Sequence, residues 1–129
     1  MIGYVTLGTN DLARAARFYD AIAAELGTAR MMEFERFIAW GTPGGAPGIG
    51  LTYPFDGAPA SVGNGVMVAL AACDRDQVAR LHAIALEHGG VCEGPPGLRG
   101  DGSESGEEGF YAAYFRDPDG NKLNAFVIG

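Results

Sequence analysis

Histidine and cysteine are the side chains most often used to bind metals or attack substrates, and this chain has two of each. His82 and His88 fall six residues apart on one predicted helix, so they do not share a face of it. We therefore expect packing or surface roles for both. Nothing near Cys73 in the sequence would activate its thiol as a nucleophile. Because no secretion signal is present, Cys73 and Cys92 are expected to be free, buried thiols.

Three acids, Glu104, Glu107 and Glu108, lie in the polar stretch GPPGLRGDGSESGEEG, residues 94–109, which is predicted to be a loop. Loops of this length are commonly functional or mobile. The acids form either a mobile lid that contacts a cationic or hydroxylated ligand, or a solvated loop without a binding role. The sequence leaves the role of residues 100–109 open.

Arginines and tyrosines within this predicted loop and after it offer further chemistry. Arg99 and Arg116 have the charge to bind a carboxylate. In the alternative interpretation, both are solvated at the ends of loops. Tyr111 and Tyr114 lie on opposite faces of one predicted strand, so only one of them can face a site. A tyrosine hydroxyl there would donate a hydrogen bond or act as a general acid, although packing is the commoner role.

The charge balance excludes several kinds of partner. The formal net charge is −7, from 9 basic and 16 acidic residues. This argues against nucleic acid, which requires a basic surface, and against an anionic membrane surface. No stretch of the sequence has the roughly 18 apolar residues of a membrane span, and the expected location is cytoplasmic.

Hydrophobic periodicity and turn residues predict the elements that must position these side chains. A first helix begins at Asn10 or Asp11 and ends at Gly27, and a second begins with a capping box of Asp74 and Gln77. Strands are predicted at 2–8, 29–34, 36–41, 48–53, 65–71, 91–94, 110–116 and 121–127. The last two strands flank DPDG, which has the composition of a type I turn.

The two halves of the chain repeat one another. One constant shift places Tyr4 on Met67, Asp11 on Asp74 and Gly27 on Gly90. Each half then follows the order strand–helix–strand–strand–strand. Neither half could bury both its helix and a sheet face alone. Residues 1–129 are therefore predicted to form a single domain with halves at about 1–60 and 64–129.

Four segments carry a resemblance to a known superfamily: YVTLGTNDLARAARFYD, IGLTY, VMVALAACDRDQVARL and DPDGNKLNAF. They resemble the vicinal oxygen chelate superfamily, which includes glyoxalase I, bleomycin-resistance proteins, fosfomycin-resistance enzymes and extradiol dioxygenases. The resemblance covers essentially the whole chain. It implies an α+β fold in which two βαβββ repeats form a curved, partly open mixed sheet barrel with two outer helices. It also implies a homodimer.

Metal-dependent members of the superfamily carry one ligand on the first strand and one on the last strand of each half. The resemblance puts these four positions at Tyr4, Gly50, Met67 and Asn124. Mg, Mn, Ni, Zn and Fe sites need carboxylates, imidazoles or thiolates, and Tyr4 and Asn124 would each supply only a weak oxygen. We therefore expect neither a metal nor another cofactor.

The resemblance further implies a cup for a small ligand, and strand alternation selects the residues that line it. The expected ligand-binding residues are Tyr4, Thr6, Thr52, Met67 and Asn124. A concavity with few polar groups suits a small apolar or aromatic molecule, with Tyr4 and Asn124 orienting it. The acidic loop would then select a cationic group on that molecule. In the alternative reading, Tyr4 and Met67 fill the cup as core.

Two classes of function remain. The first is a metal-independent small-molecule-binding protein, as in the bleomycin-resistance branch. The second is a lyase, isomerase or dioxygenase type of enzyme with a metal-free or shifted active site. The four lost ligands favour the first class, and the sequence identifies no catalytic residue. The fold alone cannot choose, because function depends on the site.

Overall fold

The computed structural model describes residues 1–45, 47–100 and 109–129. Within these ranges there are two helices and eight strands. They are β1 (Tyr4–Gly8), α1 (Leu12–Glu25), β2 (Ala29–Phe34), β3 (Phe37–Gly41), β4 (Gly48–Thr52), β5 (Val68–Ala71), α2 (Arg75–Glu87), β6 (Val91–Arg99), β7 (Phe110–Arg116) and β8 (Lys122–Ile128). Neither described helix has the length and hydrophobicity to cross a membrane.

The strands form two mixed sheets of four strands each. The first sheet has the order β1–β4–β3–β2 and the second has the order β5–β8–β7–β6. In each sheet the first and last strands of the half pair in parallel, and the remaining pairs are antiparallel. The α+β class with two βαβββ units is thus confirmed, while the described strands stay in two sheets and do not close into one barrel.

Both helices begin at the predicted caps. The Asp11 carboxylate accepts a hydrogen bond from the Arg14 amide, and Asp74 accepts one from the Gln77 amide at 2.8 Å. The Gln77 side chain accepts a bond from the Cys73 amide and donates one to the Glu25 carbonyl at the end of α1. The predicted capping residues therefore also join the two helices.

A single core contains residues of both helices and of both sheets. The first sheet contributes Leu7 and Leu51, and the second contributes Phe115 and Leu123, all of them buried. Because side chains alternate along a strand, the other face of each sheet points away from the helices. We call these surfaces the first open face, which includes Tyr4, Thr6, Phe34, Phe37, Gly50 and Thr52, and the second open face, which includes Met67, Ala69, Phe110, Tyr114, Arg116, Lys122, Asn124 and Phe126.

The DPDG turn connects the end of the second half to the helix of the first half. Asp117 is buried and accepts hydrogen bonds from the Tyr19 hydroxyl at 2.7 Å and from the Asn121 amide at 2.9 Å. Burial raises the pKa of the Asp117 carboxyl, and the bonds from Asn121 and Tyr19 oppose that rise. Burial and the nearby Asp117 carboxylate raise the pKa of Tyr19 well above its usual range.

Asp119, in the same turn, holds the start of α1. It accepts hydrogen bonds from the Thr9 hydroxyl at 2.6 Å, the Asn10 amide at 3.0 Å and the Arg14 guanidinium at 2.9 Å. These three donors lie more than a hundred residues away in sequence, so the carboxylate closes a long-range contact between the halves. The described contacts of DPDG are structural.

The sixth strand is longer than predicted. It continues from Val91 to Arg99, whereas the sequence prediction ended it at residue 94 and assigned the rest to a loop. This is an edge strand, and its pairing register shifts between Cys92 and Gly94 and again between Gly94 and Gly97. Such irregularities accommodate prolines that cannot donate a ladder hydrogen bond. Glu104, Glu107 and Glu108 lie outside the described residues.

The predicted burial of the two cysteines is wrong, although both are free as expected. Cys73 lies in the connection between β5 and α2, and Cys92 lies on the edge strand β6, so neither thiol is enclosed. His82 is buried on α2 as a packing residue, with its Nε2 3.2 Å from Cys92 Sγ. Burial lowers the pKa of His82.

Candidate functional site

The first open face presents exposed apolar side chains. Tyr4 is 65% exposed on β1 at one edge of the sheet, and Phe34 is 64% exposed on β2 at the other edge, where Met31 and Met32 are also exposed. Large apolar side chains gathered on one surface usually mark a binding or interaction surface. This face is therefore open in the single chain, and Tyr4 does not fill it as core.

Position 50 lies on the first open face and has no room for a side chain. A Cβ built on Gly50 would lie 2.6 Å from Cζ of the Phe37 ring, which covers the glycine. Thr52, the neighbour of Phe37 across the ladder, hydrogen-bonds through its hydroxyl to the Tyr53 carbonyl at 2.9 Å. The aromatic ring thus takes the space in which a ligating carboxylate would have to stand.

Asn124 lies on the second open face, at the centre of the sheet. It is 1% exposed, and its Oδ1 has no hydrogen-bond partner among the described residues. Its register neighbours are Ala69 on β5 and Tyr114 on β7. A buried amide oxygen without a hydrogen-bond partner carries an uncompensated desolvation cost.

Two cations lie close to the Tyr114 ring beside this amide. The guanidinium carbon of Arg99 is 5.3 Å from the ring centroid, and Nζ of Lys122 is 5.6 Å from it. Arg99 also donates hydrogen bonds to the carbonyls of Gly97 at 3.0 Å and Pro95 at 2.6 Å. The aromatic ring and the two carbonyls hold the guanidinium in one position.

Two glycines of β6 make room for this arginine. A Cβ built on Gly94 would lie 3.0 Å from one terminal nitrogen of Arg99, and one built on Gly97 would lie 3.2 Å from the other. Larger residues at these positions would push the guanidinium away from Tyr114. The glycine-rich composition of this strand therefore serves the placement of Arg99.

Small-molecule sites commonly have volumes of about 300–1,000 Å³, and a cavity of ≈ 620 Å³ borders the second open face. Its walls include Met67, Arg116, Lys122 and the linker residues 62–66. Arg116 forms an ion pair with Glu93 and donates to the Gly120 carbonyl at 2.9 Å. Further along the same face, Phe110 and Phe126 stack with their centroids 5.5 Å apart. The face thus combines cationic and aromatic surfaces.

The structure divides the predicted ligand-binding residues between the two sheets. Tyr4, Thr6 and Thr52 lie on the first open face, whereas Met67 and Asn124 lie on the second. Sequence reasoning did not identify Lys122, although a signal was present. It is the only lysine in the chain, and it precedes Asn124 by two residues, which places both on one face of a strand.

The four positions at which the resemblance implied metal ligands carry poor metal donors in this structure. Tyr4 is a phenol on one sheet, Met67 and Asn124 carry a thioether and an amide on the other, and the Phe37 ring covers Gly50. Among residues 1–45, 47–100 and 109–129, no group of three or more His, Cys, Asp and Glu side chains is placed to hold a metal ion. The described donors therefore do not fit a divalent metal.

Solved structures similar to this chain share its fold. A glyoxalase/bleomycin resistance protein from Albidiferax ferrireducens T118 is 37% identical, with a TM-score of 0.84, and the match covers 98% of this chain and 97% of that one. A glyoxalase-related enzyme from Fulvimarina pelagi is 21% identical, with a TM-score of 0.73 and coverage of 98% and 86%. At 21% identity, this second similarity shows only a shared fold.

A third structure, of a glyoxalase/bleomycin resistance protein/dioxygenase family enzyme from Burkholderia phytofirmans PsJN, is 15% identical, with a TM-score of 0.74 and 98% of both chains covered. A comparison with curated proteins found no match. The sequence profile of the Glyoxalase/Bleomycin resistance protein/Dioxygenase superfamily matches residues 1–125. The chain belongs to the Glyoxalase/Bleomycin resistance protein/Dioxygenase superfamily.

Proposed function

We propose that this protein binds a small molecule on its second open face without the help of a metal ion. The observation that carries the proposal is Asn124, a buried amide whose oxygen has no partner among the described residues. A ligand that donates a hydrogen bond to this oxygen would relieve the cost of burying it. Met67, exposed at the edge of the same face, would adapt to the ligand's apolar part.

The side chains at the four family positions support the proposal that binding needs no metal. Introducing a ligating side chain at Gly50 would require the Phe37 ring to move. An amide and a thioether are poor ligands for the divalent metals of the superfamily. Elemental analysis of protein purified without chelators should find no stoichiometric divalent metal, and one tightly bound ion per chain would contradict the proposal.

Binding is a better conclusion than catalysis for this face. The described carboxylate there, Glu93, is paired with Arg116, which lowers the pKa of Glu93 and makes it a weaker base. A general acid or base poised near neutral pH would be expected of an enzyme that works without a metal. The metal-free or shifted enzyme of the sequence analysis is therefore the weaker alternative.

We also propose that two copies complete the site as a homodimer. The first open face of one copy, with Tyr4, Met32 and Phe34, would cover the second open face of its partner and exclude water from the ligand. Phe34→Glu should then convert a dimer into a monomer in light-scattering measurements after size-exclusion chromatography. Arg17→Glu, an exposed position on α1, is the control. A monomeric wild-type protein at all concentrations would contradict this part of the proposal.

Ligand binding is tested by thermal-shift screening of small aromatic compounds against wild type and Asn124→Leu. Compounds that stabilise the wild type should lose that effect in the variant, because the leucine removes the amide but retains the same branched skeleton. Stabilisation that persists unchanged in Asn124→Leu would place the binding site elsewhere.

A further inference from the structure

We infer that the ligand of the second open face is an oxyanion: a small planar molecule that carries a carboxylate or a phosphate, recognised by Lys122 and Arg99. The inference rests on the proposed binding function and adds the charge of the ligand to it. The geometry that points to it is the placement of both cations within 6 Å of the Tyr114 ring, next to the buried Asn124 amide.

The charge on this face is opposite to the charge of the chain. The chain has a net charge of −7, yet Arg99, Arg116 and Lys122 gather on one sheet surface. Among the described residues, the carboxylate near this group is Glu93, which forms an ion pair with Arg116 and whose pKa is also lowered by the charge of Lys122, so three cations face one described acid. A local excess of positive charge on an acidic protein attracts and orients an anion rather than a cation.

The arrangement of Arg99 favours binding because the guanidinium is already ordered. The Gly97 and Pro95 carbonyls and the Tyr114 ring hold it before any ligand arrives. A guanidinium has five N–H donors, and these two hydrogen bonds use only two of them. Less side-chain entropy is lost on binding when the group is held in place beforehand.

The spacing along β8 matches a small aromatic acid. Lys122, Asn124 and Phe126 occupy successive positions on one face, and such positions are about 7 Å apart. A carboxylate or phosphate near Lys122 would leave a ring over Asn124, where a hydroxyl or amino substituent on the ring would donate to the amide oxygen, with the stacked pair of Phe126 and Phe110 beyond it. The apolar body and the anionic head would thus each meet a suitable surface.

The inference reverses one expectation from the sequence. The acidic stretch around Glu104, Glu107 and Glu108 suggested selection of a cationic group, and those residues lie outside the described parts of the chain. The described sheet surface carries the opposite charge. An anion is the ligand that this surface can pair with.

Methionine methyl groups provide a direct test, because the chain has four methionines on distinguishable surfaces. Met67 reports on the second open face, and Met31 and Met32 report on the first. Protein labelled with ¹³C at the methionine methyls is titrated with benzoate, phenyl phosphate, benzamidine and benzyl alcohol, which share a ring and differ in charge. Benzoate or phenyl phosphate should shift the Met67 resonance to saturation, and benzamidine should not.

Variants then identify the groups that recognise the charge. Lys122→Gln and Arg99→Gln should each weaken binding of the anionic probe by about tenfold or more, as expected for loss of a charge-assisted hydrogen bond. Arg17→Gln, which removes a charge elsewhere on the chain, should change it by less than about twofold. Thermal unfolding of each variant establishes that the protein is folded.

The outcomes separate this inference from the proposed function. If benzyl alcohol or benzamidine shifts Met67 at least as strongly as the anions, the face binds small molecules but the anion inference is wrong. Anion binding that is unchanged in both Lys122→Gln and Arg99→Gln also overturns it. If no probe shifts Met67, both proposals fail. The benzoate and phenyl phosphate arms distinguish a carboxylate from a phosphate ligand.

Discussion

Replacing Asn124 by leucine should stabilise this protein while it abolishes ligand binding. The Asn124 oxygen is buried and has no partner among the described residues. An unsatisfied buried polar group costs about 1–3 kcal/mol, and leucine has the same branched skeleton without a polar atom, although its methyl groups are bulkier and offset part of the gain. We therefore expect the free energy of unfolding to rise by about 1–2 kcal/mol, which in a domain of this size corresponds to an increase in Tm of about 3–8 °C.

Asn121 supplies a matched control, because it is the same residue type and is also buried, at 7% exposure. Its side-chain amide donates to the Gly8 carbonyl and to the Asp117 carboxylate, both at 2.9 Å. Asn121→Leu removes the side-chain donor of the Gly8 carbonyl and one of the donors of the Asp117 carboxylate. It should lower the free energy of unfolding by about 2–4 kcal/mol, opposite in sign to Asn124→Leu.

Urea unfolding measures both changes. The protein concentration is held constant, because the unfolding midpoint of a dimer would depend on it. The wild type, Asn124→Leu and Asn121→Leu are compared without added ligand. A loss of more than about 1 kcal/mol in Asn124→Leu would show that the amide satisfies a structural hydrogen bond. The reasoning that assigns this residue to ligand binding would then be refuted.

Three further perturbations test other parts of the structure. Gly50→Ala should lower the free energy of unfolding by about 1–3 kcal/mol, because the new methyl group would contact the Phe37 ring. The same substitution should cost less in a chain that already carries Phe37→Ala. Equal costs in the two backgrounds, measured by urea unfolding, would contradict the contact. Asp119→Ala should cost about 2–4 kcal/mol, because three long-range donors lose their acceptor, and a change in Tm of under 1 °C would be inconsistent with this. The hydrogen bond from Arg30 lowers the pKa of Asp20, so this carboxylate adds stability above its unfolded-state pKa that is lost as the pH falls through its folded-state pKa. Asp20→Asn should therefore flatten the fall in Tm below about pH 4, and an unchanged acid limb would argue against the pair.

The elements of this fold could be predicted from the sequence because they rest on local chemistry. Asp11 and Asp74 cap the helices as expected, since a cap needs only a short polar side chain and a nearby amide. The strands Ala29–Phe34 and Phe110–Arg116 coincide with their predicted ranges. The internal repeat followed from one constant shift between the two halves, and four sequence segments carried the resemblance to the superfamily.

Only the tertiary structure decided where the chemistry lies. The continuation of β6 to Arg99 depends on pairing with β7, which overrides the local effect of its prolines and glycines. Whether Cys92 is enclosed depends on the position of its strand at a sheet edge. The buried amide of Asn124 and the approach of Arg99 to Tyr114 are contacts through space between separate strands. Local sequence patterns do not predict such contacts, because the residues involved are distant in sequence and are brought together only by strand pairing.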